Sequence, residues 1–162
     1  MCIRDRYKNL LRDIENILDL SVPTVTNLGN VVALIKDYFK WFWVGFYKVE
    51  GKELILNVFQ GPPACVKIEK GKGVCGKSWK EDKSIIVDNV DLFDGHIACN
   101  VASKSEIVVP FKNRSNEIVY ILDIDHNKKN AFSNEDEVNL KLLNTLISVS
   151  YTHLTLPTIL LV

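Results

Sequence analysis

Residues 8–20 set Leu10, Leu11, Ile14, Ile17 and Leu18 at three- and four-residue spacing, the period of a helix with one buried face. Pro23 and Thr24 punctuate, and a second helical pattern runs from about Thr26 to Phe39. The period then changes. "WFWVGFYKV" (41–49) is aromatic and β-branched, Glu50-Gly51-Lys52 reads as a turn, and "ELILNVF" (53–59) follows, so the stretch predicts a β-hairpin. Residues 61–72 hold two prolines, a cysteine and two glycines and read as a loop. "GVCGKSWKED" (73–82) predicts a short helix with a Gly-rich start, and "SIIV" (84–87) a short strand. Residues 88–104 form a long polar loop, a kind of segment that is often functional in compact domains. "EIVVPF" (106–111) and "EIVYILDID" (117–125) read as strong strands joined by a turn at 113–116. Ser133-x-x-Asp136 has the form of a capping box, and the helix behind it carries Val138, Leu142 and Leu146 on one face.

Hairpins dominate these connections. The expected architecture is therefore α+β: a mainly antiparallel central sheet with helices packed on one face. The chain has 162 residues, enough for one domain with a real core. "MCIRDR" at the start and "VSYTHLTLPTILLV" at the end resemble translated adaptor or vector sequence. They are set outside the domain, which is taken as residues 7–148.

Composition narrows the function classes. Formal net charge is zero and the basic residues are scattered among acidic ones, which gives no electrostatic grip on nucleic acid or an anionic membrane. The first residues carry charge rather than an apolar signal core, and the apolar run 154–162 is about half a bilayer span. A soluble cytoplasmic protein is expected. No P-loop, Gly-x-Gly-x-x-Gly or Gly-x-Ser-x-Gly is present.

Four cysteines remain: Cys2, Cys65, Cys75 and Cys99. The spacings of the last three match no Cys-x-x-Cys zinc knuckle, which leaves buried structural thiols or redox chemistry. Cys75 lies near a helix start, where the dipole can lower a thiol pKa. His96, three residues before Cys99, reads as a base, a ligand or a loop histidine with no role. The period of two in strands groups Val119, Ile121, Asp123 and Asp125 on one face. Asp123 and Asp125 then stand about 7 Å apart along the strand. Asp123 inside "YILDI" is awkward unless it lines a pocket, and Glu106 opens the neighbouring strand. Trp43, Gly45 and Tyr47 share a face of their strand and suit either the core or an apolar wall.

These residues carry a resemblance. The run "WFWVGFYKVEGKELILNVFQGPPACVKIEKGKGVCGKSW", continued by "DGHIACNVASKSEIVVPF" and "ILDID", resembles the free methionine-(R)-sulfoxide reductases, a family built on the GAF fold. The likeness covers roughly residues 26–148 and departs at Val119-Tyr120-Ile121, where the family usually has a small residue.

The resemblance implies roles. Cys99 takes the position of the catalytic nucleophile, Cys65 that of the main resolving cysteine, and Cys75 that of a further cysteine open to disulfide exchange. Glu106, Asp123 and Asp125 match the pocket carboxylates, and Trp43 and Tyr47 the aromatic wall. Cys99 would attack the sulfoxide sulfur, with Asp125 or Glu106 as acid, and Cys65 would then close a disulfide. Thioredoxin, fed ultimately by NADPH, would reset the enzyme, with no bound metal or organic cofactor. Pairing of two copies through their helices is a further implication. The alternative is a non-enzymatic GAF module that binds a small ligand as a sensor.

Overall fold

The computed structural model describes residues 1–154, and of residues 152–154 the backbone. The elements are α1 (Ile3–Ile17), α2 (Thr24–Phe39), β1 (Trp43–Glu50), β2 (Glu53–Gln60), β3 (Lys67–Glu69), α3 (Gly73–Glu81), β4 (Ile85–Val87), β5 (Ser105–Lys112), β6 (Ile118–His126) and α4 (Asn134–Ile147). Six strands form one sheet in the order β3-β2-β1-β6-β5-β4, and every neighbouring pair is antiparallel. This is the α+β layout expected from the hairpin pattern. β3, a three-residue edge inside the 61–72 segment, was not legible as a strand.

Alternation along the strands sends one side chain up and the next down. Val44, Phe46, Ile107, Val109, Leu122 and Ile124 face a core shared with α1, α2 and α4. Tyr7, Leu10 and Ile14 of α1 and Leu28, Val31, Val32 and Ile35 of α2 bury there at helical spacing. The opposite face holds Trp43, Tyr47, Val108 and Ile121 under α3 and the long loop. Three helices thus share one face, and the fourth covers the functional one.

Two local features modify the expected pattern. The β5–β6 register shifts between Phe111 and Lys112, whose partners are Tyr120 and Ile118. Val119 is the extra residue of that irregularity and packs with the helical core, while Ile121 packs on the other side. Val119 therefore does not share a face with Asp123, as strict alternation would have it. On α4, Leu140, Leu143 and Ile147 are buried, whereas Val138 and Leu142 are exposed. Asp136 sets that rotation: it accepts from the backbone of Ser133 at 2.7 Å and from the Tyr7 hydroxyl at 2.7 Å.

The elements run past both expected borders. Residues 3–6 form the first turn of α1. At the other end Ser150 is buried, its carbonyl accepts from Thr24 Oγ1 at 3.1 Å, and the Tyr151 ring lies 5.5 Å from that of Tyr120. The rest of the presumed tail, residues 155–162, lies outside the described residues. No helix among the described residues is long and apolar enough to cross a membrane.

Candidate active site

Three neighbouring strands supply the floor of one cavity. In register, Trp43 faces Asp125, Gly45 faces Asp123, and Tyr47 faces Ile121 across β1 and β6. On the other side of β6, Glu106 faces Asp125 and Val108 faces Asp123. All these side chains point away from α1, α2 and α4. The cavity is lined by Trp43, Tyr47, Cys75, His96, Cys99, Glu106, Asp123 and Asp125, among others. Residues spread from 43 to 125 in the sequence therefore converge, and the strand period accounts for the shared face of Trp43 and Tyr47 and that of Asp123 and Asp125.

The aromatic pair also holds the loop that carries Cys65. Trp43 Nε1 donates to the carbonyl of Pro62 at 3.0 Å, and Tyr47 Oη donates to that of Cys65 at 2.9 Å. A hydrogen bond from Leu56 N to the carbonyl of Val66 at 3.0 Å fixes the loop's far end to β2. The long loop after β4 brings Cys99 from the opposite side. The two cysteines are joined as a disulfide, with Cα atoms 5.3 Å apart across 34 residues of sequence. That separation is within the normal range for a bridge. The expectation that these two loops meet is fulfilled.

Cys75 is not part of the bridge. It is a buried free thiol on α3, and its Sγ donates to Glu106 Oε1 at 3.9 Å. A helix start can lower a thiol pKa, but the surroundings of Cys75 act in the opposite direction. Burial pushes the Cys75 thiol up, and Asp123, Glu106 and Asp125 push it further in the same direction.

The carboxyls behave as a coupled set. Burial raises the pKa of Glu106, and the neighbouring charge of Asp125 adds to it. Asp123 is raised by burial and by Glu106. Asp125 is half-buried and is raised by desolvation and by Asp123, with a hydrogen bond involving Ser103 opposing. All three shifts run toward the protonated forms, so the cluster holds its protons to higher pH than free carboxyls do. His96 Nε2 stands 3.7 Å from Glu106 Oε2, and desolvation lowers the histidine's pKa. Both shifts run toward the uncharged forms, which weakens this contact as an ion pair.

Every residue to which the resemblance gives a role lines this cavity, with the exception of Cys65, whose sulfur is bonded to the lining residue Cys99. Sequence reasoning missed Ser103 and Asn100, which also line it. Both sit in the irregular 88–104 segment, where no period marks which side chains turn inward.

This arrangement belongs to a definite class. Residues 12–150 match the family model described as "GAF domain", and the chain is a GAF-domain protein. It is 46% identical over 146 residues to GAF domain-containing protein A of Dictyostelium discoideum, covering 90% of each. It is 39% identical over 138 residues to the free methionine-R-sulfoxide reductase of Escherichia coli, covering 85% of this chain and 83% of that one. The solved structure of the free methionine-R-sulfoxide reductase from Neisseria meningitidis in complex with its substrate superposes with a TM-score of 0.85 at 38% identity, over 91% of this chain and 89% of that one. Within the GAF class, the chain belongs to the free methionine-R-sulfoxide reductase family.

Proposed function

We propose that the protein reduces free methionine-(R)-sulfoxide to methionine, with Cys99 as nucleophile and Cys65 as its resolving partner. One observation carries this reading: the Cys65–Cys99 disulfide joins two loops over a cavity floored by Glu106, Asp123 and Asp125. A disulfide beside an acidic pocket is what one turnover of such a reaction leaves behind.

In this reading the Cys99 thiolate attacks the sulfoxide sulfur and gives up two electrons. The sulfur–oxygen bond breaks, the oxygen ends on Cys99 as a sulfenic acid with one proton from the pocket, and methionine departs. Glu106 or Asp125 supplies that proton, since burial and mutual repulsion favour their protonated forms. The charge left on the cluster balances the substrate's α-ammonium, a group that a peptide-bound residue lacks. Trp43 and Tyr47 face the methyl-sulfur end. The Cys65 thiol then displaces the sulfenic oxygen as water and forms the disulfide. Thioredoxin or a similar dithiol, recharged ultimately by NADPH, reduces it, and no step requires a bound metal or organic cofactor. Cys75 is the further thiol available to exchange. A cytoplasmic location fits this cycle, because the bridge must be reopened at every turnover. A homodimer would cover Val138 and Leu142, apolar yet exposed on α4, and sedimentation checks it.

The test is NADPH oxidation coupled through thioredoxin and its reductase, with R and S epimers, free and N-acetylated. Only the free R epimer is expected to be consumed, and Cys99→Ser is expected to abolish consumption. Equal rates with the N-acetylated compound, or no turnover at all, would overturn the reading.

A further inference from the structure

Three groups in the cavity lie close enough to share one ion. One potential ligand atom from each of Cys75, Glu106 and Asp123 falls within 4.8 Å of the other two, and all three residues are buried. The trio combines a free thiol with two carboxyls, on three elements that the sheet register and α3 bring together. Asp123 lines the cavity and is only 7% exposed, and no amide, hydroxyl or cation donates to its Oδ1 among the described residues, its polar neighbours being Glu106 and Cys75 themselves. A buried acceptor in that state is costly and calls for a ligand.

We infer that Cys75, Glu106 and Asp123 form a binding site for a thiophilic divalent cation such as Zn²⁺ or Cd²⁺, with water as fourth ligand. The site goes beyond the reductase reading, which uses no metal, and it overlaps the substrate's pocket, so the cation acts as an inhibitor. Zinc bonds of about 2.0–2.3 Å in a tetrahedron put ligand atoms roughly 3.3–3.8 Å apart. Side-chain shifts of about half an ångström close the trio onto an ion. Binding exchanges a proton for the metal: the Cys75 S–H bond breaks, a sulfur–metal bond forms, and the proton leaves to solvent. A cation also removes the repulsion that the carboxyls otherwise relieve by holding protons.

The disulfide-bonded protein offers a clean test, because Cys65 and Cys99 are already occupied. Cys2→Ser removes the exposed thiol and keeps a capping side chain on α1. Cd²⁺ alone is titrated into this oxidised protein, and the ultraviolet charge-transfer band of a cadmium thiolate is read, with Zn²⁺ as competitor. One equivalent is expected to saturate the band and Zn²⁺ to displace it. Cys75→Ser should abolish the band, and Asp123→Asn should weaken apparent affinity by about tenfold or more, the scale reached even by changes outside the ligand shell. A missing band, a band that survives Cys75→Ser, or affinity unchanged in Asp123→Asn overturns the site. No turnover is measured, so this outcome is independent of the reductase assay.

Discussion

Trp43 folds its indole back across Gly45 so closely that a Cβ there would lie 2.4 Å from Cη2 of the ring. The ring cannot simply retreat. It stacks on Phe59 at 5.4 Å and on Tyr47 at 6.2 Å, and its Nε1 is tied to Pro62. The added Cβ would also meet the Cβ of Phe59 at 2.6 Å. Gly45 is thus the residue that lets an aromatic wall stand beside Asp123 and Asp125. Gly45→Ala is expected to cost roughly 1–3 kcal/mol of stability through overpacking. It should also raise KM for the sulfoxide, because the indole that faces the substrate is displaced. Urea unfolding together with steady-state kinetics checks both. Wild-type KM in the variant would show that the indole does not shape the substrate pocket.

A second relationship is remote from the chemistry. Tyr7 Oη donates to Asp136 Oδ1 at 2.7 Å in a buried contact between α1 and α4. Desolvation and the Asp136 carboxylate both drive the phenol's pKa up, so the hydroxyl keeps its proton and remains a donor. Tyr7→Phe preserves the ring's packing on Phe39 but strands a buried carboxylate oxygen. The expected loss is about 1–3 kcal/mol in urea unfolding, with kcat unchanged. A variant as stable as the parent would mean that Asp136 is satisfied by Ser133 alone.

These two cases show which parts of the molecule the sequence discloses. The face shared by Trp43, Gly45 and Tyr47, and that shared by Asp123 and Asp125, follow from a period of two and needed no coordinates. Glu106 falls beside them because β5 and β6 are joined by a short turn. The rotation of α4 was misread, because Val138–Leu142–Leu146 and Leu140–Leu143–Ile147 are both acceptable helical stripes. The choice between them is made by a tertiary contact, Tyr7 to Asp136. Val119 was misassigned because a register shift adds a residue that alternation cannot foresee. The direction of the Cys75 pKa was not legible, since local sequence exposes the helix start but not the three carboxyls that the fold brings to it. Ser103 and Asn100 were invisible, lying in a loop without period. The roles of the cysteines came from a family resemblance, and spacing alone left structural and redox readings open.

The disulfide should change stability as well as redox state. Cys65 and Cys99 are 34 residues apart, and closing a loop of that length restricts the unfolded chain by up to roughly 4 kcal/mol in the entropy model. Oxidised protein is expected to unfold at higher urea than the same protein treated with dithiothreitol, and the difference should vanish in Cys65→Ser. A Cys75→Ser background prevents exchange during unfolding. If reduction leaves the urea midpoint unchanged, the bridge constrains only regions that stay compact in the denatured state.

The acidic cluster makes a signed prediction about pH. Glu106, Asp123 and Asp125 all have folded-state pKa values above the ordinary carboxylate range, chiefly through burial and then through one another. In the unfolded chain they ionise near pH ~4, whereas the folded protein keeps protons to higher pH. Above pH ~4 the folded state therefore binds more protons than the unfolded one, and stability falls as pH rises until the folded pKa values are passed. Ordinary salt-bridged carboxylates have the opposite slope. Oxidised protein kept free of metal by a chelator should lose thermal stability between about pH 5 and 8. Asp123→Asn or Glu106→Gln should flatten that slope and raise Tm at pH ~8, where each 1 kcal/mol gained corresponds to about 2–4 °C for a domain of this size. Below pH ~3 the same variants should be nearly neutral, because the replaced carboxyls are then largely protonated in both states. A parent profile that rises from pH 5 to 8, with variants less stable throughout, would mean that the cluster is stabilised as carboxylates and holds no proton for the sulfoxide oxygen.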